Sequence, residues 1–168
     1  MHSNRYRWVL LILISSVLAA CAPPPVFKTM GSEVAVPPST VAQTPEHFIG
    51  RSVIWGGRVI SVQNLANATR IEILGYPLDS SQRPQVQNPE GGRFIAIMKG
   101  YVESLNYPPG TLVTLRGRVK GTFAGHVGKA AYIFPLVQVD ASHRWTTKEM
   151  RSRRSHINIG IGLGYWHG

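Results

Sequence analysis

The clearest alternation in the chain is Thr69-Arg70-Ile71-Glu72-Ile73, with Ile71 and Ile73 on one face and Arg70 and Glu72 on the other. Successive strand side chains point to opposite faces, so a period of two marks a half-buried strand. Residues 52–63 are also β-rich (Val53, Ile54, Trp55, Val59, Ile60, Val62), and Gly56-Gly57 inside them predicts a bulge or sharp bend. The polar residues 64–68 between these runs make the two a hairpin. A third strand, nearly all apolar, spans residues 94–101. In a fourth, residues 111–121, Val113, Leu115 and Val119 share one face, and Arg116, Arg118 and Lys120 share the other. Gly117 and Gly121 fall on its apolar face, where a curved sheet needs bare backbone. Residues 131–139 form a fifth, and Pro135 argues for an edge position or a bulge there.

The links carry turn chemistry: Asn106-Tyr107-Pro108-Pro109-Gly110, then residues 124–129 with Gly125 and Gly128. Residues 75–92, with Pro77, Pro84 and Pro89, read as a long surface loop, and residues 44–50 as a short helical turn ended by Gly50. Short strands, glycine kinks and hardly any helix predict a mainly β fold, a small antiparallel five- to six-stranded OB-like barrel. A small β-sandwich is the second choice. The sixth strand would come from the tail, where residues 157–163 alternate apolar with Asn or Gly. That segment has three expected fates: docking on the barrel, adding to a partner's sheet edge, or touching a membrane interface through Tyr165 and Trp166. A disordered end is the alternative.

The N-terminus breaks the β pattern. Arg5 and Arg7 precede an apolar run over residues 8–17, and Leu18-Ala19-Ala20-Cys21 follows. A positive head, a short apolar stretch and small residues make a secretory signal, too short for a membrane span of about 20 residues. Leu-Ala-Ala-Cys is a lipobox, in which the thiol is acylated and the chain is cut before it. Cys21 is the only cysteine, so no intramolecular disulfide forms. The expected attachments are a diacylglycerol and an acyl chain on Cys21, with no other cofactor. Several chains together anchor stably where one binds marginally. Ala22, where an aspartate would favour the inner membrane, points to the outer membrane. The chain thus divides into a lipoprotein signal peptide (1–20), a lipidated N-terminus and Pro-rich tether (21–45), the barrel (46–143), and a basic, then Gly-rich tail (144–168).

Charge narrows the partners. The formal +10 falls by the two of Arg5 and Arg7 to +8 in the mature chain, and 13 of the 18 basic residues are Arg. Such a balance attracts anions, and Arg suits phosphate and carboxylate. Outside the cytoplasm these are outer-membrane lipid headgroups, lipopolysaccharide phosphates or an acidic envelope protein. An OB-like barrel with aromatics and Arg ordinarily suggests single-stranded nucleic acid, a minor option for a secreted chain.

Several segments together resemble the Slp family of outer-membrane lipoproteins. They are Phe48-Ile49-Gly50-Arg51, Trp55-Gly56-Gly57-Arg58-Val59-Ile60-Ser61-Val62-Gln63-Asn64, Thr69-Arg70-Ile71-Glu72-Ile73 and Pro77-Leu78-Asp79-Ser80. Later pieces agree, among them Arg93-Phe94, Leu112-Val113-Thr114, Gln138-Val139 and Arg144-Trp145. The resemblance implies a starvation- or stress-linked lipoprotein facing the periplasm from the outer membrane. It implies no established enzymatic activity.

The search for chemistry agrees with a noncatalytic chain. The histidines His2, His47, His126, His143, His156 and His167 have no metal-ligand spacing, and no Gly-x-Ser-x-Gly nucleophile motif occurs. Glu72, among basic neighbours, suits a surface ion pair, and Asp79 with Ser80 and Ser81 suits a turn. Gly56-Gly57 and Gly91-Gly92 lack the phosphate-loop signature. The candidate functional residues are therefore Cys21 for lipidation and a basic surface of Arg116, Arg118 and Lys120, with Arg58 and Arg70 nearby. The expected role is binding a protein or an anionic lipid at the outer membrane. The alternative is a barrel carrying a small apolar ligand or lipid.

Overall fold

A computed structural model describes residues 24–151. Cys21, the signal segment and the alternation at 157–166 lie outside the described residues. Five strands, β1 (Ser52–Asn64), β2 (Ala68–Tyr76), β3 (Arg93–Lys99), β4 (Leu112–Val127) and β5 (Ala130–Trp145), close into a barrel in the order β1-β2-β3-β5-β4. β4 returns to β1, and every pair is antiparallel except β3 with β5. That order is the Greek-key arrangement of an OB-type barrel. Inward positions recur at every second residue, so Val53, Trp55 and Val59 meet Ile71, Ile73, Phe94, Val113, Leu115, Val119 and Val137 in one core. The Trp55 and Phe94 rings meet edge to face at 5.1 Å. Each such side chain contributes about 1.5–3 kcal/mol by leaving water. The clefts described below are lined by residues outside this core cluster.

Gly56 and Gly57 do not form a bulge. β1 runs through them paired on both sides, and its register slips later, between Val59 and Ser61. Their bareness answers close approach instead. A methyl on Gly57 would collide with the Leu74 carbonyl, and one on Gly56 would lie 2.8 Å from both Leu78 Cδ2 and Val113 O. The expected turn at 124–129 also shrinks. β4 and β5 continue to a tight turn at Gly128, whose φ of 59° is one that glycine adopts freely. Pro135 lies just before the β3 pairing begins at Leu136 and beside a register slip opposite Val119 and Gly121, as the missing N–H demands.

The stretch assigned as tether belongs in part to the folded body. Val34 N–H bonds Ser52 O at 2.9 Å, and the Trp55 indole N–H donates to Val36 O at 2.7 Å. Helix α1 (Pro38–Gln43) starts on a proline, where the missing N–H costs nothing, and buries Val41 completely. A 3-10 turn, Pro45–His47, and Gly50 at φ 82° complete the expected helical turn. At the other end β5 includes Arg144 and buries Trp145, so the body continues past residue 143. Helix α2 (Thr147–Arg151) follows. Its capping box pairs Thr146 N with Glu149 Oε2 at 2.7 Å and Glu149 N with Thr146 Oγ1 at 3.2 Å.

Two predictions follow from this packing. Gly57→Ala should destabilise the fold by about 1–3 kcal/mol through overpacking, read from the denaturant midpoint. An unchanged midpoint would show that the β1–β2 approach has slack. The second concerns Glu149, whose carboxyl is held below the usual range chiefly by the Thr146 hydroxyl, with His143 Nε2 3.2 Å from its other oxygen. A depressed carboxylate lends stability above its unfolded pKa and loses it as pH falls through the lower folded one. Amides 146–151 should therefore lose hydrogen-exchange protection on acidification below the ordinary glutamate range. Glu149→Gln should flatten that dependence.

Candidate functional site

The basic face is built by register. On the outer face of the β1–β4 ladder, Arg118 lies opposite Ser52 and Arg116 opposite Ile54. Arg118 and Lys120 are exposed, whereas Arg116 is half-buried. The N-terminal segment explains the difference, because the Arg116 guanidinium lies over the Phe27 ring at 5.6 Å. Arg116 also contributes to holding the nearby Glu33 carboxyl below its usual range, though the Met30 backbone N–H is the main cause. Arg118 shares a shallow hollow with Arg51 and Met30, and Met30 and Ile49 are 72% and 58% exposed. The face is thus basic with apolar tips. Arg51 was not anticipated, although it stands at the head of β1, where the strand's pairing could have flagged it.

Arg58 and Arg70 do not join this group. Arg58 is exposed beside Leu112, four residues along β1 from Ile54, a distance on the order of 13 Å. Arg70 lies over the Phe123 ring at 5.3 Å, on β2. It shares a small hollow with Glu72, which makes its expected ion pair with Arg93 at 2.6 Å. Among the described residues, no group of three or more His, Cys, Asp or Glu can hold a metal.

The segment expected to be a surface loop is instead buried in part, over residues 81–84, on the outside of the barrel. Asp79 shapes its turn as expected: Oδ1 accepts Ser81 N–H at 2.8 Å and Arg83 N–H at 3.1 Å. Ser81, Gln82, Arg83 and Pro84 are buried. Gln82 takes a φ of 65°, a sparsely populated region for a residue with a side chain. Its backbone carbonyl accepts the Thr114 hydroxyl at 2.6 Å, and Thr114 Oγ1 in turn accepts the Trp145 indole N–H at 2.9 Å. Its side chain imitates a strand neighbour. Phe27 N–H donates to Gln82 Oε1 at 2.8 Å, and Gln82 Nε2 donates to Phe27 O at 2.9 Å.

Arg83, next in sequence, points its guanidinium over Trp145 at 5.1 Å and lines a cleft of about 470 Å³ against α2. None of Phe27, Gln82, Arg83, Thr114 and Trp145 was singled out as functional from sequence. The usable signal was Pro77-Leu78-Asp79-Ser80, whose Asp starts a fixed turn in what otherwise looks like loop.

Comparisons with known proteins place this body. The chain is 36% identical to the uncharacterized lipoprotein YeaY of Escherichia coli K12 over 105 residues, 62% of this chain and 54% of that protein. It is 30% identical to the outer membrane protein Slp of the same organism over 166 residues, 97% of this chain and 87% of that one. An uncharacterized Haemophilus influenzae protein matches at 37% over 57% of this chain and 52% of its own length. The chain thus spans about half the length of two of these relatives. A small single-stranded DNA-binding protein from Streptomyces coelicolor aligns with a TM-score of 0.37 at 14% identity, over 59% of this chain and 97% of that one. At that score the likeness carries no argument, and the barrel assignment rests on strand pairing. Residues 18–167 match the Outer membrane lipoprotein Slp family, and the chain belongs to that family.

Proposed function

We propose that this protein is a noncatalytic module anchored through lipid on Cys21 to the periplasmic side of the outer membrane, whose basic face engages anionic headgroups of that membrane. The observation that carries the reading is the Gln82–Phe27 clamp. Phe27 stands six residues after Cys21, a span of about 20 Å at full extension. A leash clamped so close to its origin keeps the barrel near the headgroups. Arg116 sits over the clamped Phe27, and Arg118, Arg51, Met30 and Ile49 continue the surface from there. A basic residue near an anionic leaflet contributes about 1 kcal/mol, and the effect fades beyond a Debye length of about 8 Å. Closeness is therefore what gives these charges a role.

The test uses the unlipidated mature chain, residues 22–168, with vesicles of phosphatidylcholine containing or lacking phosphatidylglycerol. It should sediment with the anionic vesicles only, and salt should release it. Reversing Arg116, Arg118 and Lys120 to Glu should reduce the bound fraction by about tenfold or more, while Arg58→Glu has a smaller effect. Equal binding by the reversed protein would remove this face from the account; retention on an acidic envelope protein instead of vesicles would replace the lipid reading. In cells, Cys21→Ser should yield chain without the mass of acyl groups and outside the membrane fraction. An unmodified Cys21 in the mature wild-type chain would contradict the anchor.

A further inference from the structure

Arg83 is 7% exposed, and its Nε and Nη1 are buried with no hydrogen-bond partner among the described residues. A guanidinium withdrawn from water needs compensation. The Trp145 ring supplies some through its π face, but that contact occupies the face of the guanidinium and leaves Nε and Nη1 unpartnered among the described residues. No carboxylate pairs with the group among the described residues. The loop nevertheless invests in keeping it there: Asp79 fixes the turn, Gln82 accepts a left-handed backbone, and Thr114 ties that backbone to the barrel. Strain of this kind gathers at functional sites.

The cleft around Arg83 has a definite chemistry. Among the described residues its ionisable lining is Arg83, Arg151 and Asp79, two cations beside one carboxylate. Its apolar lining includes Val86, Leu112 and Met150. A volume of about 470 Å³ lies within the range of small-molecule sites, about 300–1,000 Å³. A lining richer in arginine than in carboxylate suits an anion, and the guanidinium fork suits phosphate oxygens. The apolar wall asks that the anion carry a hydrocarbon body. Arg83 also adjoins Gln82, the residue that clamps the leash.

We propose that this cleft takes the phosphodiester headgroup of one anionic phospholipid, with Arg83 as the deep contact, Arg151 at the rim, and Val86, Leu112 and Met150 against the glycerol and first methylenes. This rests on the membrane-proximal reading above. A phosphodiester on a free, water-soluble molecule presents the same head, and the two sources differ in whether the hydrocarbon is needed.

The experiment titrates the unlipidated mature chain, which keeps every described residue, with dihexanoyl phosphatidylglycerol below its micelle threshold. Dihexanoyl phosphatidylcholine and glycerophosphoglycerol are titrated in parallel, and the ¹⁵N resonance of Arg83 Nε is followed. Phosphatidylglycerol should shift that resonance saturably. The phosphatidylcholine and the bare headgroup should each bind weaker by about tenfold or more. Arg83→Lys should weaken the lipid by a similar factor. Val86→Trp, which fills the cleft and leaves Arg83 in place, should abolish the shift even if the Arg83 variant fails to fold. Arg118→Glu with Lys120→Glu, which spares the Arg116–Phe27 contact, should leave this affinity within about twofold, so failure of the basic face and failure of the cleft are separable. No saturable shift with phosphatidylglycerol, or unaltered binding in Val86→Trp, would overturn the site. Equal affinity for glycerophosphoglycerol would overturn the lipid assignment.

Discussion

The hydrogen bond from Thr114 to the Gln82 carbonyl joins three parts of the molecule that the chain order keeps apart. Thr114 lies in β4 and is fully buried, yet on the outer side of the barrel wall. It accepts from Trp145 at the end of β5 and donates to the β2–β3 connection. Gln82, held by that bond, grips Phe27 on the way to Cys21. This buried hydroxyl has its one proton and one of its two lone pairs engaged, and losing either partner would leave a polar group stranded at a cost of about 1–3 kcal/mol. Gly56 is bare for the same reason, since a side chain there would press on Thr114 and Leu78. The barrel core supplies stability, whereas this outer layer holds the N-terminal segment at Phe27 against the body.

That attachment at Phe27 gives the surface charges their meaning. Basic residues scattered over a soluble barrel would be a solubility device. Arg116, Arg118 and Arg51 are different because they flank the segment that leads to the proposed lipid, with exposed Met30 and Ile49 among them. Arg58 and Arg70, equally basic, face other ground, and Arg70 is taken up by Phe123. The proposed two or three acyl chains would anchor the chain without help from charge. On this reading the basic face adds orientation, and the Arg83 cleft adds recognition of a single headgroup.

The barrel was legible in the sequence because alternation reports burial directly. Ile71 against Arg70, and Val119 against Arg118, fixed faces that the register bears out. The family was legible through Trp55-Gly56-Gly57-Arg58 and Pro77-Leu78-Asp79-Ser80, and residues 18–167 match it. What the sequence hid is packing without periodicity. Pro37 and Pro38 look like tether, yet they start a helix that buries Val41, because proline suits a first helical position. The connection rich in Pro and Ser looks exposed, yet it buries Arg83, since Thr114, Phe27 and its own Asp79 hold the turn in place. Gly56-Gly57 signalled a constraint correctly but not its kind, because close approach by Leu74 and Leu78 is a property of the third dimension.

The central claim is that a clamped, short leash holds the basic face of the barrel on the membrane. Neutron reflectometry of the lipidated chain in a supported bilayer containing phosphatidylglycerol measures this directly. The account predicts a protein layer that begins at the headgroups with no resolvable water between them. A water layer approaching the leash's full reach of about 20 Å would contradict it.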